Sequence, residues 1–257
     1  MPKPRVLVLR APGTNCDQET AFAFQQAGGL AQVVHVNRLL ETPRLPLEFQ
    51  ILCLPGGFSY GDDVGAGRIL ANQIRHHLDQ TLHEFKAADR LVLGICNGFQ
   101  VLIKSGVLLA GDPGGAAATL TWNDSGRYED RWSRLRVTSD ASVFLRGIEQ
   151  LELPVAHAEG KFVARSSEVL AQLDAQSQLV LRYEGREVDG VVVYPDNPNG
   201  SQANVAGVCD ETGRVFGLMP HPERNIAPTH HPQWTRRGSD EPGQGLQLFQ
   251  NAVEFFC

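Results

Sequence analysis

A cysteine stands between two glycines in the segment 93–100, LGICNGFQ, at the end of an apolar run. The pattern Gly94-x-Cys96-x-Gly98 has the form of a nucleophile elbow, a sharp strand-to-helix turn that exposes the attacking side chain. Glycine is expected at both flanking positions, because a side chain there would collide with the neighbouring strand or helix. The following helix would favour a thiolate, and the backbone N–H of Asn97 would be free to bind an oxyanion. The alternative interpretation is a tight turn around a buried, unreactive thiol.

A second oxyanion donor is expected in Pro55-Gly56-Gly57, directly after the predicted strand 50–54. The carboxyl ends of neighbouring parallel strands meet at one edge of a sheet, so this turn would lie beside Cys96. Two successive glycines let the backbone approach a ligand closely and point an N–H at it. Taken alone, the same tripeptide is equally typical of a plain turn.

A thiol nucleophile needs a base, and His221 is the best of the eight histidines. It follows the apolar strand VFGLM in Pro220-His221-Pro222-Glu223. Pro222 favours an extended backbone at His221, and side chains two apart in an extended segment point the same way. His221 would then be the base and Glu223 the carboxylate that orients it. A Pro-rich exposed turn is the alternative, and His157, in PVAHAEGKF, is a second candidate base.

The other histidines and the cysteines give no metal or disulfide pattern. We expect three histidines to be solvated on a polar helix, one to be structural within a strand, and two to lie in a loop without companion ligands. These are His76, His77 and His83, then His35, then His230 and His231. The five cysteines are widely spaced and include no Cys-x-x-Cys pair, so neither a disulfide framework nor a zinc signature is predicted.

Composition limits the class of protein. The chain has 257 residues, 42% of them hydrophobic and 20% charged, which is ordinary for a globular protein. A net charge of −6 without a basic block argues against a nucleic-acid partner. The apolar run near the N-terminus is too short for a signal peptide, and none of the apolar runs approaches the roughly 20 residues of a membrane span. We therefore expect a cytoplasmic protein without a membrane partner.

Strands and helices alternate in the first half of the chain, and short strands dominate the second. Near-continuous apolar strands between helices predict a parallel sheet covered on both faces. The predicted strands are 5–10, 32–36, 50–54, 90–95, 135–137, 153–157, 179–183, 205–209 and 215–218, and the helices are 15–28, 67–87, 97–105 and 245–256. Residues 111–118 and 225–243 are interpreted as loops. The expected fold is one α/β domain over 1–257, flavodoxin-like, with an open, mostly parallel sheet and added antiparallel strands in the second half.

Together these segments resemble the class I (triad) glutamine amidotransferases along nearly the whole chain. Beyond the elbow and the His-Pro-Glu segment, the resemblance rests on APGTNCDQET (11–20), LPGGFSYGDDVGAGR (54–68), WNDSGRYEDRW (122–132), PVAHAEGKF (154–162), YPDNPNGSQANVAGV (194–208) and GLMPHPER (217–224). The family's mechanism would make Cys96 the nucleophile, His221 the base and Glu223 its partner. Gly57 and Asn97 would then form the oxyanion hole, while Gly56 and Gln100 would shape the glutamine pocket.

The resemblance is strongest to glutaminases that serve purine biosynthesis, and it implies partners. The chain has no phosphate-binding loop of the G-x-x-x-x-G-K-[ST] type, so ATP and magnesium would be used by a separate large synthetase subunit. The family also implies a small accessory subunit. No cofactor is expected in this chain. Because ammonia would otherwise escape into water, we expect the isolated chain to hydrolyse glutamine poorly until it docks.

Three other interpretations stay open. The chain could be a stand-alone cysteine hydrolase or peptidase on the same fold, with His157 or another group as the base. It could be a subunit retained only for assembly, although the intact set of Cys96, His221 and Glu223 argues against this. It could also supply ammonia to a different acceptor, although the GTNCDQET and FSYGDD segments favour the purine branch.

Overall fold

The computed structural model describes residues 3–111, 115–238 and 242–257. The strands are β1 (Arg5–Arg10), β2 (Leu30–His35), β3 (Ile51–Leu54), β4 (Leu91–Ile95), β5 (Ala118–Thr121), β6 (Glu129–Val137), β7 (Gln150–His157), β8 (Lys161–Ala164), β9 (Leu181–Glu184), β10 (Glu187–Val188), β11 (Val191–Val192), β12 (Val205–Cys209) and β13 (Val215–Leu218). The helices are α1 (Asp17–Gln26), α2 (Val36–Glu41), α3 (Arg68–His77), α4 (Asp79–Ala87), α5 (Asn97–Ser105), α6 (Ser167–Ala175), α7 (Trp234–Arg237) and α8 (Leu246–Glu254).

A nine-stranded sheet with the order β2-β1-β3-β4-β13-β12-β9-β6-β7 runs through the molecule. Strands β2, β1, β3, β4 and β13 are parallel, and β3 and β4 are buried along their whole length. The chain passes from β1 through α1 to β2, and from β3 through α3 and α4 to β4. These two crossovers run in opposite directions across the sheet. Right-handed crossovers in opposite directions place these helices on opposite faces of the sheet. The expected mostly parallel sheet between helices is confirmed.

The second half of the sheet is antiparallel, as expected. Strand β12 pairs antiparallel with β13 and β9, and β6 pairs antiparallel with β9 and β7. Two small two-stranded sheets, β5 with β8 and β10 with β11, accompany it. These four short strands and α6 were not expected from the sequence.

Several predicted boundaries of helices and strands are wrong. The single helix expected over 67–87 is two helices, because the backbone breaks at Leu78 (φ −122°, ψ 1°) between α3 and α4. Helix α1 begins at Asp17, two residues later than expected, and its first turn has no side-chain cap. The strand expected to end at Val36 stops one residue earlier, where α2 begins.

The two expected loops are only partly within the described residues. The segment 225–243 contains α7, so it is not a loop throughout. Positions 239–241 there, and positions 112–114 in the segment 111–118, lie outside the described residues. Among the residues that the structure does describe, none of the helices combines the length and apolar character that crossing a bilayer requires.

Candidate active site

Four neighbouring parallel strands, β1, β3, β4 and β13, end at one edge of the sheet, and each leads into the same small cavity. This is where open α/β sheets form their sites. The cavity has a volume of about 30 Å³ and is lined by Asn15, Cys16, Gly57, Phe58, Cys96, Tyr128, Ala156, His221 and Arg224. The fold therefore brings together the predicted nucleophile Cys96, the predicted base His221 and one predicted oxyanion donor, Gly57.

The turn at Cys96 has the geometry of an elbow. Its backbone has φ 51° and ψ −106°, an unfavourable conformation for a residue with a side chain. A Cβ on Gly98 would lie 1.8 Å from the Leu54 carbonyl oxygen, and a Cβ on Gly94 would lie 2.8 Å from the Gly98 carbonyl carbon. Both glycines are required by the neighbouring strand and helix, as predicted. The thiol is 5% exposed and lies 3.6 Å from the Ala156 carbonyl oxygen.

His221 and Glu223 form a buried pair, as the sequence predicts, but not for the predicted reason. Nδ1 of His221 lies 2.6 Å from Oε1 of Glu223, and each residue is 2% exposed. The segment is not extended: Pro222–Arg224 forms a turn of 3₁₀ helix. The His221 N–H donates to the Pro154 carbonyl oxygen at 2.8 Å, which ties the turn to β7. The alternative of an exposed turn is wrong.

The environment of His221 favours its protonated form. Burial lowers the pKa of the imidazole, but the Glu223 carboxylate and the Cys96 sulfur outweigh burial and raise that pKa well above its usual value. Since Nδ1 donates to the carboxylate, Nε2 is the nitrogen left to accept a proton. Nε2 is buried and has no hydrogen-bond partner among the described residues. The imidazole is therefore suited to take a proton from a neighbouring thiol.

The two expected oxyanion donors differ in how they are placed. Gly57 lines the cavity with a φ of +141°, whereas Asn97 begins α5 directly after Cys96. Within 3–111, 115–238 and 242–257, neither backbone N–H donates to a protein acceptor. The side chain of Asn97 points into a separate network, where it accepts from the Ser59 N–H and donates to Asp62.

Gly56 and Gln100 have roles in packing that the sequence did not reveal. A Cβ on Gly56 would lie 2.8 Å from His221 Cε1 and 3.1 Å from Cys16 Sγ, so glycine allows both side chains to pack there. Gln100 is buried rather than on the helix surface, and it donates to the Glu159 carbonyl oxygen at 2.6 Å. It does not line the cavity at Cys96.

Cys16 is one of the residues of this site that the sequence reasoning missed. It is 1% exposed, and Nη2 of Arg224 donates to its sulfur at 3.2 Å. Burial raises the pKa of the Cys16 thiol to about 11, although His221 and Arg224 oppose that rise. Its position after β1, in the APGTNCDQET segment, was the available signal, because β1 ends at the same sheet edge.

His157 is close to this site, but its surroundings disfavour the protonated imidazole and make it a weaker base than His221. Burial and the charge of His221 lower the pKa of His157 to about 3. Its Nδ1 lies 3.2 Å from the Asn123 side-chain oxygen. Of the other histidines, His76, His77 and His83 are exposed as expected. His231 lies in an irregular segment, as expected, but it is buried against Glu152, with Nε2 3.3 Å from the carboxylate.

Comparisons with known proteins identify the family of this chain. Residues 3–256 match the family model of the CobB/CobQ-like glutamine amidotransferase domain. A relative from Dehalococcoides mccartyi, phosphoribosylformylglycinamidine synthase subunit PurQ, is 47% identical over 99% of this chain and 98% of its own length. A PurQ subunit from Methanococcus maripaludis is 41% identical over 98% of this chain and 97% of its own length.

A solved structure extends the likeness to the whole fold. A chain in the structure of PurLQS from Thermotoga maritima aligns over 100% of both chains with a TM-score of 0.74 and 30% identity. The chain described here belongs to the CobB/CobQ-like glutamine amidotransferase family, and the resemblance read from its motifs is confirmed.

Proposed function

We propose that this chain is the glutaminase subunit of a phosphoribosylformylglycinamidine synthase, which hydrolyses glutamine and passes the ammonia to a synthetase subunit. The observation that carries the proposal is the meeting of Cys96, in its strained elbow, with the buried His221–Glu223 pair at one cavity. The full-length likeness to PurQ subunits selects the purine branch among amidotransferases. The reaction makes the chain an enzyme that acts on the glutamine amide.

Catalysis begins with the Cys96 sulfur, which attacks the side-chain carboxamide carbon of glutamine while Nε2 of His221 takes the thiol proton. Glu223 accepts the hydrogen bond from Nδ1 and stabilises the imidazolium that forms. His221 then returns the proton to the departing nitrogen, which leaves as ammonia. Water hydrolyses the γ-glutamyl thioester, releases glutamate and restores the Cys96 thiol.

The tetrahedral intermediate carries a negative oxygen that needs donors. The backbone N–H groups of Gly57 and Asn97 fill this role, because both are free of protein acceptors within the described residues. Removing one such donor typically costs about 3 kcal/mol of transition-state stabilisation. Gly56 contributes the close packing beside His221 on which the pocket depends, and Gln100 holds the segment of Glu159 against α5 from outside the cavity.

Partner subunits are needed because glutamine hydrolysis releases ammonia that this chain does not itself use. Ammonia goes to the large synthetase subunit, PurL, which uses ATP and magnesium to convert formylglycinamide ribonucleotide to its amidine, and a small PurS subunit completes the complex. The PurLQS assembly of the structural neighbour supports this set of subunits. The described residues work as one glutamine amidotransferase domain, and we assign the chain to the cytoplasm together with its small-molecule substrate.

The decisive experiment is amidation by the reconstituted complex with wild type and Cys96→Ser. Glutamine-dependent product formation should fall at least about 10³-fold in C96S, because the thiol nucleophile is lost. Amidation from ammonium salts should be unchanged, because it bypasses this chain. Cys257→Ala, at an exposed cysteine, is the matched control. Glutamine-dependent activity retained in C96S would disprove the assignment.

A second measurement separates this proposal from a stand-alone hydrolase. Ammonia release from glutamine should rise at least about tenfold when the synthetase is added, since docking is expected to complete the site. Equal rates with and without the synthetase would favour an independent hydrolase. Labelling by a glutamine-derived electrophile should map to Cys96 and should be lost in C96S.

A further inference from the structure

The side chain of Asn97 joins the two turns that carry the proposed oxyanion donors. Asn97 follows Cys96 in the elbow, and its own backbone N–H is one donor. Its side-chain oxygen accepts a buried hydrogen bond from the Ser59 N–H at 3.1 Å. Ser59 lies two residues after Gly57, which carries the other donor. The separation of the two donors therefore depends on where the Asn97 side chain is held.

Two side chains outside the cavity fix the position of the Asn97 amide. Its Nδ2 donates to Oδ1 of Asp62 at 3.1 Å and to Oε1 of Gln100 at 3.0 Å. Together with the bond from Ser59, these contacts satisfy both ends of the amide. Gln100 belongs to the same helix as Asn97, whereas Asp62 belongs to the segment that follows Gly57. Asp62 is therefore the partner that ties the amide back to the other turn.

The backbone on the way to Asp62 is strained. Tyr60 and Asp62 have φ values of 56° and 54°, in the left-handed region that residues with a side chain seldom occupy. Such conformations persist only where the surroundings hold them, and they are common beside active sites. Here Oδ1 of Asp62 also accepts from the Gly67 N–H at 3.2 Å, and the Tyr60 hydroxyl donates to Gln73 at 2.8 Å. The result is a single carboxylate oxygen fixed between Gly67 and Asn97.

We propose that Asp62 is a positioning residue of the glutaminase reaction: it holds the Asn97 side chain so that the N–H groups of Gly57 and Asn97 converge on the oxyanion. This role rests on the proposed function, because it belongs to the same reaction. Asp62 does not line the cavity at Cys96, so it acts through Asn97. Removing it should slow the step that forms the negative oxygen and leave the binding of glutamine intact.

Steady-state kinetics of the reconstituted complex test this role. Asp62→Ala removes the acceptor and should lower kcat for glutamine hydrolysis at least about tenfold while changing KM less than about twofold, because displaced donors stabilise the transition state poorly. Asp62→Asn keeps an oxygen that can accept from the Asn97 amide, so its kcat should stay within about threefold of wild type. Asp63→Ala removes the neighbouring exposed carboxylate and, as the matched control, should behave as wild type.

A double-mutant cycle shows whether Asp62 acts through Asn97. Asn97→Ala keeps the backbone N–H but loses the bonded amide, so it should lower kcat at least as much as Asp62→Ala. The combined D62A/N97A variant should be no slower than N97A alone, because two residues that act through one contact do not have additive effects. Losses that multiply would mean that Asp62 works by another route, and they would overturn the proposal.

Alkylation of Cys96 separates a displaced oxyanion hole from a disrupted elbow. Iodoacetamide reacts with a thiol by forming a sulfur–carbon bond as iodide leaves and the thiol proton passes to solvent, so this step needs no oxyanion donors. The alkylation rate of Cys96, mapped by mass spectrometry, should therefore be unchanged in D62A and N97A. Circular dichroism checks that both variants are folded. Equal falls in alkylation and hydrolysis would reduce Asp62 to a packing role and overturn the proposal.

Two results of the kinetic comparison would also overturn the proposal. The first is a wild-type kcat in D62A, and the second is an equal loss in D62A and D62N, which would point to the charge of Asp62 rather than to its hydrogen bond. Failure of this positioning role is distinguishable from failure of the glutaminase assignment. Glutamine hydrolysis by wild type, and its loss in C96S, decide that assignment before any variant of Asp62 is compared.

Discussion

The elbow at Cys96 and the turn at His221 end neighbouring parallel strands, yet they are held in opposite ways. The elbow depends on its own two glycines, because a Cβ on Gly94 would meet the backbone of Gly98 and a Cβ on Gly98 would meet the Leu54 carbonyl of β3. The His221 turn has no such local determinant. Its backbone N–H is bound by Pro154 of β7, although three strands separate β7 from β13 in the sheet. Glycines within the segment permit one catalytic turn, whereas the pairing of distant strands holds the other in place.

Strand β7 contacts both segments. Its Ala156 carbonyl oxygen lies 3.6 Å from the Cys96 sulfur, two residues beyond the Pro154 carbonyl that holds His221. The antiparallel half of the sheet therefore aligns the nucleophile with its base. Changes in the elbow should damage the nucleophile directly, while changes around His221 should alter proton transfer and leave the elbow intact.

The largest effect is expected from Gly98→Ala. The added Cβ would meet the Leu54 carbonyl oxygen at 1.8 Å, so the elbow must shift. A displacement of about 1 Å in the nucleophile costs roughly 10²-fold in rate, and the neighbouring Asn97 oxyanion donor moves with it. Glutamine hydrolysis should fall on the order of 10⁴-fold, and the free energy of unfolding should drop by about 3 kcal/mol.

A glycine elsewhere in the same helix is the control for this change. Gly106 ends α5 with a φ of +80°, and a Cβ there would meet nothing within 4 Å. Gly106→Ala should cost about 1–2 kcal/mol of stability through its left-handed backbone and leave turnover unchanged. Comparable loss of activity in both variants would show that helix stability, rather than the collision at the elbow, limits the enzyme.

This contrast also explains which parts of the site could be predicted from the sequence. The elbow was predictable because the two glycines it needs stand in the segment itself, although Gly98 makes room for the backbone of a neighbouring strand. The pairing of His221 with Glu223 was predicted, but through an extended geometry that the 3₁₀ turn replaces. Cys16 was missed because its proximity to His221 arises only when β1 and β13 share one sheet edge. The break at Leu78 likewise depends on packing, which helical periodicity does not contain.

A smaller effect is expected from Glu223→Gln, which tests the second segment. An amide retains the size of the carboxylate but cannot stabilise the imidazolium, so turnover should fall by about 10²–10³-fold. The pKa of His221 should drop, because the carboxylate that raises it is gone. Stability should change little, because the His221 imidazole becomes neutral once its pKa has dropped and no unpaired charge is left buried. Calorimetry of unfolding and steady-state rates measure the two parts separately.

Another histidine–carboxylate pair offers the matched control. Glu152 lies 3.3 Å from Nε2 of His231, away from the cavity at Cys96. Glu152→Gln should reduce stability by less than about 1 kcal/mol, because the carboxylate is partly exposed, and should not alter turnover. Similar losses of activity in E152Q and E223Q would contradict a specific role for the Glu223 charge.

The smallest effect concerns the free energy of unfolding and involves His157, at the end of β7. It appears only when the pH is lowered. Its pKa is about 3 in the folded chain against about 6.5 when unfolded, so between these values the unfolded chain binds the extra proton. The stabilisation is complete above pH 6.5 and is lost as pH falls toward 3, by up to about 1.4 kcal/mol per pH unit.

In His157→Asn, whose side-chain amide can still donate to Asn123, urea unfolding from pH 7 to 5 should show a shallower loss of stability. The exposed His83→Asn is the control and should retain the wild-type slope. Equal slopes in H157N and wild type would mean that β7 supports His221 by backbone contacts alone, without a buried neutral imidazole beside it.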